Sequence, residues 1–74
     1  MTDRARMALL PDGTPLGDLP LRRHTINALW AGHVLTLGEL RAMGDRELMA
    51  LRQFGRGALA NVRFLVPVPE ERSQ

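Results

Sequence analysis

Glycine and proline divide this chain into apolar segments that are too short for long helices. Prolines exclude a helix interior from residues 14–21 and end regular structure beyond residue 66, because proline lacks the N–H that a helix interior needs. Gly32 and Gly44 follow apolar runs and can stop helices there. The chain therefore predicts several short helices joined by tight turns.

The chain has 74 residues and no cysteine. It can form one domain at most, and a core of that size is marginal without disulfides, metal or a partner. Disulfides and thiolate metal sites are excluded, and His24 and His33 lack the neighbouring ligands that a metal site needs. No apolar stretch is long enough to span a membrane and no leader is recognisable, so we expect a cytoplasmic protein without cofactors.

Apolar spacing and capping signals predict where the helices lie. Ile26, Leu29 and Trp30 recur at helical spacing and predict a first helix from residue 22 to about residue 31. Thr36 and Glu39 form a capping box that opens a second helix, through about residue 43. Gly44, with Glu47 three residues later, opens a third over 45–51, and the last runs from residue 57 or 58 to about residue 65.

The predicted fold is all-α: a compact bundle of four short helices with helix-hairpin-helix elements, preceded by an extended N-terminal segment. Residues 1–14 are expected to form a mobile or loosely packed arm, residues 15–66 the domain, and residues 67–74 a polar tail. Residues 14–21 should lead into the core with three leucines. The apolar cluster of Met7, Leu9 and Leu10 fits either a strap over the core or a protein interface.

The segment Phe54-Gly55-Arg56-Gly57-Ala58, called the hairpin below, places two glycines immediately before an apolar helix. A sharp connection between short helices needs positive φ or very close backbone approach, and glycine permits both. Such a hairpin presents backbone amides and a positive helix N-terminus, which suit a phosphate oxygen. Arg56 would reinforce the anion site, together with Arg52 and Arg63. The alternative is a compact turn with a solvated Arg56.

All ten basic residues are arginines. Their distribution along the chain is more informative about a binding surface than the net charge of +2. Residues 19–66 contain seven arginines against three acidic residues, a balance of +4, whereas both ends of the chain are slightly acidic. This balance is compatible with a phosphate-facing surface and equally with an ordinary solvated one.

Three segments resemble the C-terminal domain of the bacterial RNA polymerase alpha subunit: LPLRRHTINAL at 19–29, TLGEL at 36–40 and LRQFGRGALANV at 51–62. The resemblance covers about residues 15–66. It implies a compact four-helix domain with helix-hairpin-helix elements that binds the DNA minor groove and contacts transcription activators. The chain is too short for the subunit's assembly domain, so we expect a free-standing relative if Met1 is the native start.

The resemblance also implies site residues by position. Asn27 keeps an asparagine near the start of the first helix, Gly55 keeps the hairpin glycine, and Arg56 keeps the charge of a lysine. His24 replaces the arginine that enters the groove, and histidine is mostly neutral at pH 7. In the family, the hairpin also contains a second lysine and a serine, and an acidic residue follows a little further on. This chain has Gly57, Ala58 and Asn61 at those positions.

Two functional hypotheses follow. The first is a DNA-binding module in transcription regulation, which binds double-stranded DNA through seven residues: Arg23, His24, Asn27, Gly55, Arg56, Gly57 and Ala58. The second is an adaptor that keeps the fold but has lost DNA binding, and docks on RNA polymerase, a sigma factor or another regulator. Because no nucleophile and base occur at a recognisable spacing, we do not expect an enzyme.

Overall fold

The structure is a computed structural model in which residues 2–69 are described. These residues form five α-helices, and the all-α prediction is confirmed with one helix more than expected. In chain order the helices are α1 (Asp3–Ala8), α2 (Arg23–Ala31), α3 (Leu37–Arg41), α4 (Asp45–Met49) and α5 (Arg56–Leu65). Of the predicted polar tail, residues 70–74 lie outside the described residues.

Helix α1 corrects the prediction of a loosely packed arm. Thr2 caps it, because the threonine Oγ1 accepts a hydrogen bond from the N–H of Ala5 at 3.1 Å. Met7 is buried in the core with 2% of its surface exposed, and Leu10 packs partly against the same core. The apolar cluster of the N-terminus is therefore mainly a strap, although Leu9 is 73% exposed.

The lead-in enters the core as predicted, but it is not extended throughout. Leu16, Leu19 and Leu21 are all buried, and residues 16–18 form a short 3-10 helix. The segment before it pairs with residues 35–38 through an isolated antiparallel bridge between Pro15 and Thr36. This pairing anchors the lead-in beside α3.

One apolar core joins all five helices. Its fully buried members come from the lead-in and from α2, α3, α4 and α5: Leu16, Leu29, Leu37, Leu40, Leu48 and Val62. Helix α5 packs against α1, α2 and α4, so it is the central element of the fold. None of the helices in residues 2–69 has the length and apolar composition needed to cross a membrane.

Two arginines connect distant parts of the chain. Arg63 donates from Nε to Asp45 at 2.5 Å and from Nη2 to the carbonyl of Met43 at 2.9 Å. Arg41 binds Asp12 at 2.6 Å and the carbonyl of Met7 at 2.8 Å. The prediction that Arg63 reinforces an anion site is therefore wrong, because its guanidinium is occupied inside the fold.

Candidate functional site

The backbone amides at the start of α5 have no partner in the protein. The helix begins with the N–H of Leu59 donating to the carbonyl of Gly55 at 3.0 Å. The four preceding N–H groups, from Gly55 to Ala58, donate to no acceptor within residues 2–69. Gly55, Arg56 and Gly57 are exposed, so an outside acceptor can reach this end of the helix.

The start of α3 shows the opposite arrangement. The N–H groups of Leu37 and Gly38 donate to the carbonyls of Thr14 at 2.9 Å and Asp12 at 2.8 Å. The N–H of Glu39 donates to Oγ1 of Thr36 at 3.3 Å. The fold therefore satisfies the first amides of α3 internally and leaves those of α5 available.

The conformation of the hairpin corrects the reason given for its glycines. Gly55 has φ −100° and ψ −172°, which is extended backbone that any residue adopts. The positive φ in this connection, 62°, belongs to Gln53. A Cβ built at Gly55 or Gly57 would meet nothing within 4 Å. Within the described part of the chain, neither glycine is required by a turn or by packing, and both leave open space beside the free amides.

The side chains of the hairpin differ in what they can offer a ligand. Arg56 is exposed and has no hydrogen-bond or ion-pair partner in residues 2–69, so its guanidinium is available. Ala58 is 5% exposed and its methyl group belongs to the core. The predicted contact at Ala58 is therefore limited to its N–H. Arg52 is exposed in the preceding turn.

Asn61 joins the start of α2 to the middle of α5. Its Oδ1 accepts from the N–H of Arg22 at 3.0 Å and from Oγ1 of Thr25 at 2.9 Å. The amide oxygen thus caps α2 from another helix, since Arg22 provides no side-chain cap itself. This pair of bonds fixes the position of the α2 N-terminus relative to the hairpin.

A shallow depression lies where the two helices meet. Arg22 and Gly57 both line it, with Asn61 between them and Phe64 farther along α5. Phe64 is 72% exposed. The fold therefore places an arginine at the start of α2 on the same surface as the second glycine of the hairpin.

The other predicted residues of α2 lie outside this depression. Arg23, His24 and Asn27 are all exposed, and none of them lines it. Asn27 is exposed, and its side chain has no hydrogen-bond partner within the described residues. The structure brings Arg22 rather than Arg23 or His24 beside the hairpin.

The first turns of the helices divide into two groups by charge. Helices α1, α3 and α4 carry acidic residues there, which a helix N-terminus favours. Helices α2 and α5 carry none. Arg22, Arg23 and Arg56 stand at those two ends instead, so at each end the helix dipole and the arginines both favour an anion.

Arg22 and Asn61 have structural roles that the sequence did not predict. Asn61 appeared as the replacement of an acidic residue, and its structural role joins positions 36 and 39 residues apart in the chain. Only the preference of asparagine for helix capping hinted at that role. Arg22 lines the depression because of the way α2 packs against α5.

Amides, a guanidinium and two helix N-termini can hold phosphate oxygens by charge-assisted hydrogen bonds. No protein-family model, no curated protein and no solved structure matches the chain.

Proposed function

We propose that this protein is a small DNA-binding module similar to the C-terminal domain of the RNA polymerase alpha subunit. It contacts the DNA backbone through the amides of Gly55, Arg56 and Gly57 and through the guanidinium groups of Arg22 and Arg56. Its role is in transcription regulation, in the cytoplasm.

One observation carries the proposal: the first amides of α5 have no partner in residues 2–69, and Gly57 of that turn lines one depression with Arg22 at the start of α2. Unpaired amides at an arginine-bearing helix start favour an anion. A DNA backbone supplies anions at regular spacing, so two such sites on one surface can engage it together.

The chemistry of the site favours contact with phosphate over reading of base sequence. Backbone amides hold phosphate oxygens in the same way along any sequence. His24 stands where the family has an arginine for the narrow minor groove, and histidine lacks the permanent charge that suits arginine to that groove. We therefore expect modest preference between A·T-rich and G·C-rich duplexes.

A titration of labelled duplex over a range of salt concentrations tests the proposal. We expect binding at about 50 mM salt that weakens steeply by about 200 mM, because each phosphate contact releases counterions. With two to four contacts the slope of log K against log salt should be about −2 to −4. Absence of binding at the lowest salt concentration would contradict the proposal.

Gly57→Ala separates stability from DNA binding. The added Cβ meets nothing within 4 Å, and alanine favours a helix over glycine by about 1 kcal/mol, so the variant should be at least as stable. The methyl group fills the space through which a phosphate would approach, and we expect affinity to fall by about fivefold. Thermal denaturation and the duplex titration measure the two effects.

Gly13→Ala is the matched control, because a Cβ there also meets nothing within 4 Å and the residue lies outside the hairpin. It should leave affinity unchanged. Equal loss of affinity in both variants, or no loss in either, would contradict the close approach of a DNA phosphate to Gly57.

The adaptor hypothesis has an observation of its own. Phe64 and Leu35 are 72% and 56% exposed, and such side chains are common in protein interfaces. A pull-down from host lysate with and without nuclease distinguishes the two functions. Partners that persist after nuclease, together with failure of the duplex titration, would favour docking on RNA polymerase, a sigma factor or another regulator.

A further inference from the structure

Two acidic residues of the described chain have no partner. Glu39 and Glu47 accept hydrogen bonds at helix starts, and Asp12 and Asp45 pair with Arg41 and Arg63. Asp3 and Asp18 make no hydrogen bond or ion pair within residues 2–69. Their carboxylate charges are therefore uncompensated by a direct contact.

Asp3 lies on the surface that carries the proposed phosphate contacts. It lines the same depression as Arg22 and Gly57, whereas Asp18 does not. Helix α1 is fixed in this place, because Met7 is buried and its carbonyl accepts from Arg41 at 2.8 Å. The place of Asp3 on this surface is thus set by the packing of α1.

We propose that Asp3 is a negative determinant of affinity at this surface, so that α1 weakens the binding of phosphate-bearing polyanions. This inference rests on the proposed DNA-binding function. A carboxylate on the rim of a phosphate site repels the ligand across partly screened solvent, and the repulsion extends over about one Debye length, roughly 8 to 10 Å at physiological salt. The N-terminal helix then has two roles: Met7 closes the core, and Asp3 limits DNA affinity.

Asp3→Asn should tighten duplex binding by about threefold at low salt, and the ratio to wild type should approach one at high salt as screening increases. Thr2 remains the cap of α1, and asparagine and aspartate have similar helix propensities, so α1 should persist. Circular dichroism and thermal denaturation check the fold of each variant.

Two control variants isolate the position of the charge. Asp18→Asn removes one unpaired carboxylate elsewhere and should change affinity by less than about 1.5-fold. Asp3→Glu keeps the charge on α1 and should bind like wild type. Equal tightening by Asp3→Asn and Asp18→Asn would overturn the inference, since net charge alone would explain it. Tightening by Asp3→Glu would overturn it too, since loosening of α1 would then be the cause.

The same titration tests the role of Asp3 separately from the proposed DNA-binding function. If wild type binds DNA and Asp3→Asn binds equally well, the role of Asp3 is wrong and the proposed function stands. If no variant binds at low salt, both fail.

Discussion

Arg56→Glu is expected to weaken duplex binding by at least about tenfold at low salt, because it reverses a charge at the centre of the proposed phosphate contacts. The fold should tolerate the change, since the side chain is exposed and has no partner within residues 2–69. An acidic residue in the first turn of a helix is favourable by about 0.3 to 1 kcal/mol, so the variant should be as stable as wild type or more so. The salt slope should also become shallower.

Arg46→Glu is the matched control for this charge reversal. Arg46 is exposed in the first turn of α4, next to Asp45, which is tied to Arg63. Arg63 itself lies seven residues after Arg56, or about 10 Å along the axis of α5. Its contact with Asp45 therefore places the start of α4 near the part of α5 that is remote from the hairpin. Equal losses of affinity in the two variants would show that general charge, not the hairpin, drives binding.

Arg63→Met is expected to cause the largest loss of stability. Nη2 of Arg63 donates to the carbonyl of Met43, and Nη1 donates to the carbonyls of Val66 and Pro67 at 3.3 Å each. The variant leaves these partly buried acceptors without their donor and releases Asp45. Hydrogen bonds from charged groups contribute about 1.5 to 3 kcal/mol. We expect a total loss of about 2 to 3 kcal/mol, against a domain stability of roughly 4 to 11 kcal/mol.

Thermal denaturation measures this loss, which should lower Tm by about 10 to 20 °C for a domain of this size. Arg46→Met is the control: its exposed arginine has no partner in the described chain, and its Tm should change little. A Tm for Arg63→Met within a few degrees of wild type would contradict the structural role given to Arg63.

The sequence predicted the four helices from α2 to α5 because each has a local signal. Helix α5 begins at Arg56, one or two residues earlier than expected, and Thr36 caps α3 at the expected position. Burial was predictable in part: of the three residues whose spacing predicts α2, Ile26 and Leu29 are buried, whereas Trp30 is 40% exposed. These features depend on neighbours within one or two turns.

Features that depend on distant contacts could not be predicted. Helix α1 has only six residues, too few to be stable alone, and it forms because Met7 enters the core. The structural roles of Arg41 and Arg63 depend on acceptors that lie 18 to 34 residues away in the chain. The positive φ was assigned to the glycines because glycine usually adopts it, whereas Gln53 does so here.

The candidate site shows the same division. Local pattern located Gly55, Arg56 and Gly57 at the start of a helix, and the amides there are free of internal partners within residues 2–69. The packing of α2 and α1 places Arg22 and Asp3 in the lining of the depression. Charge and spacing in the sequence contain no information on that arrangement.

The central claim is that the amides at the start of α5 hold a phosphate. The most direct measurement is a ¹H–¹⁵N NMR titration of the labelled protein with a short DNA duplex. We predict that the N–H signals of Gly55, Arg56 and Gly57 show the largest shifts and that these shifts saturate together. Unchanged hairpin signals during saturable shifts elsewhere, for example around Leu35, would contradict the claim.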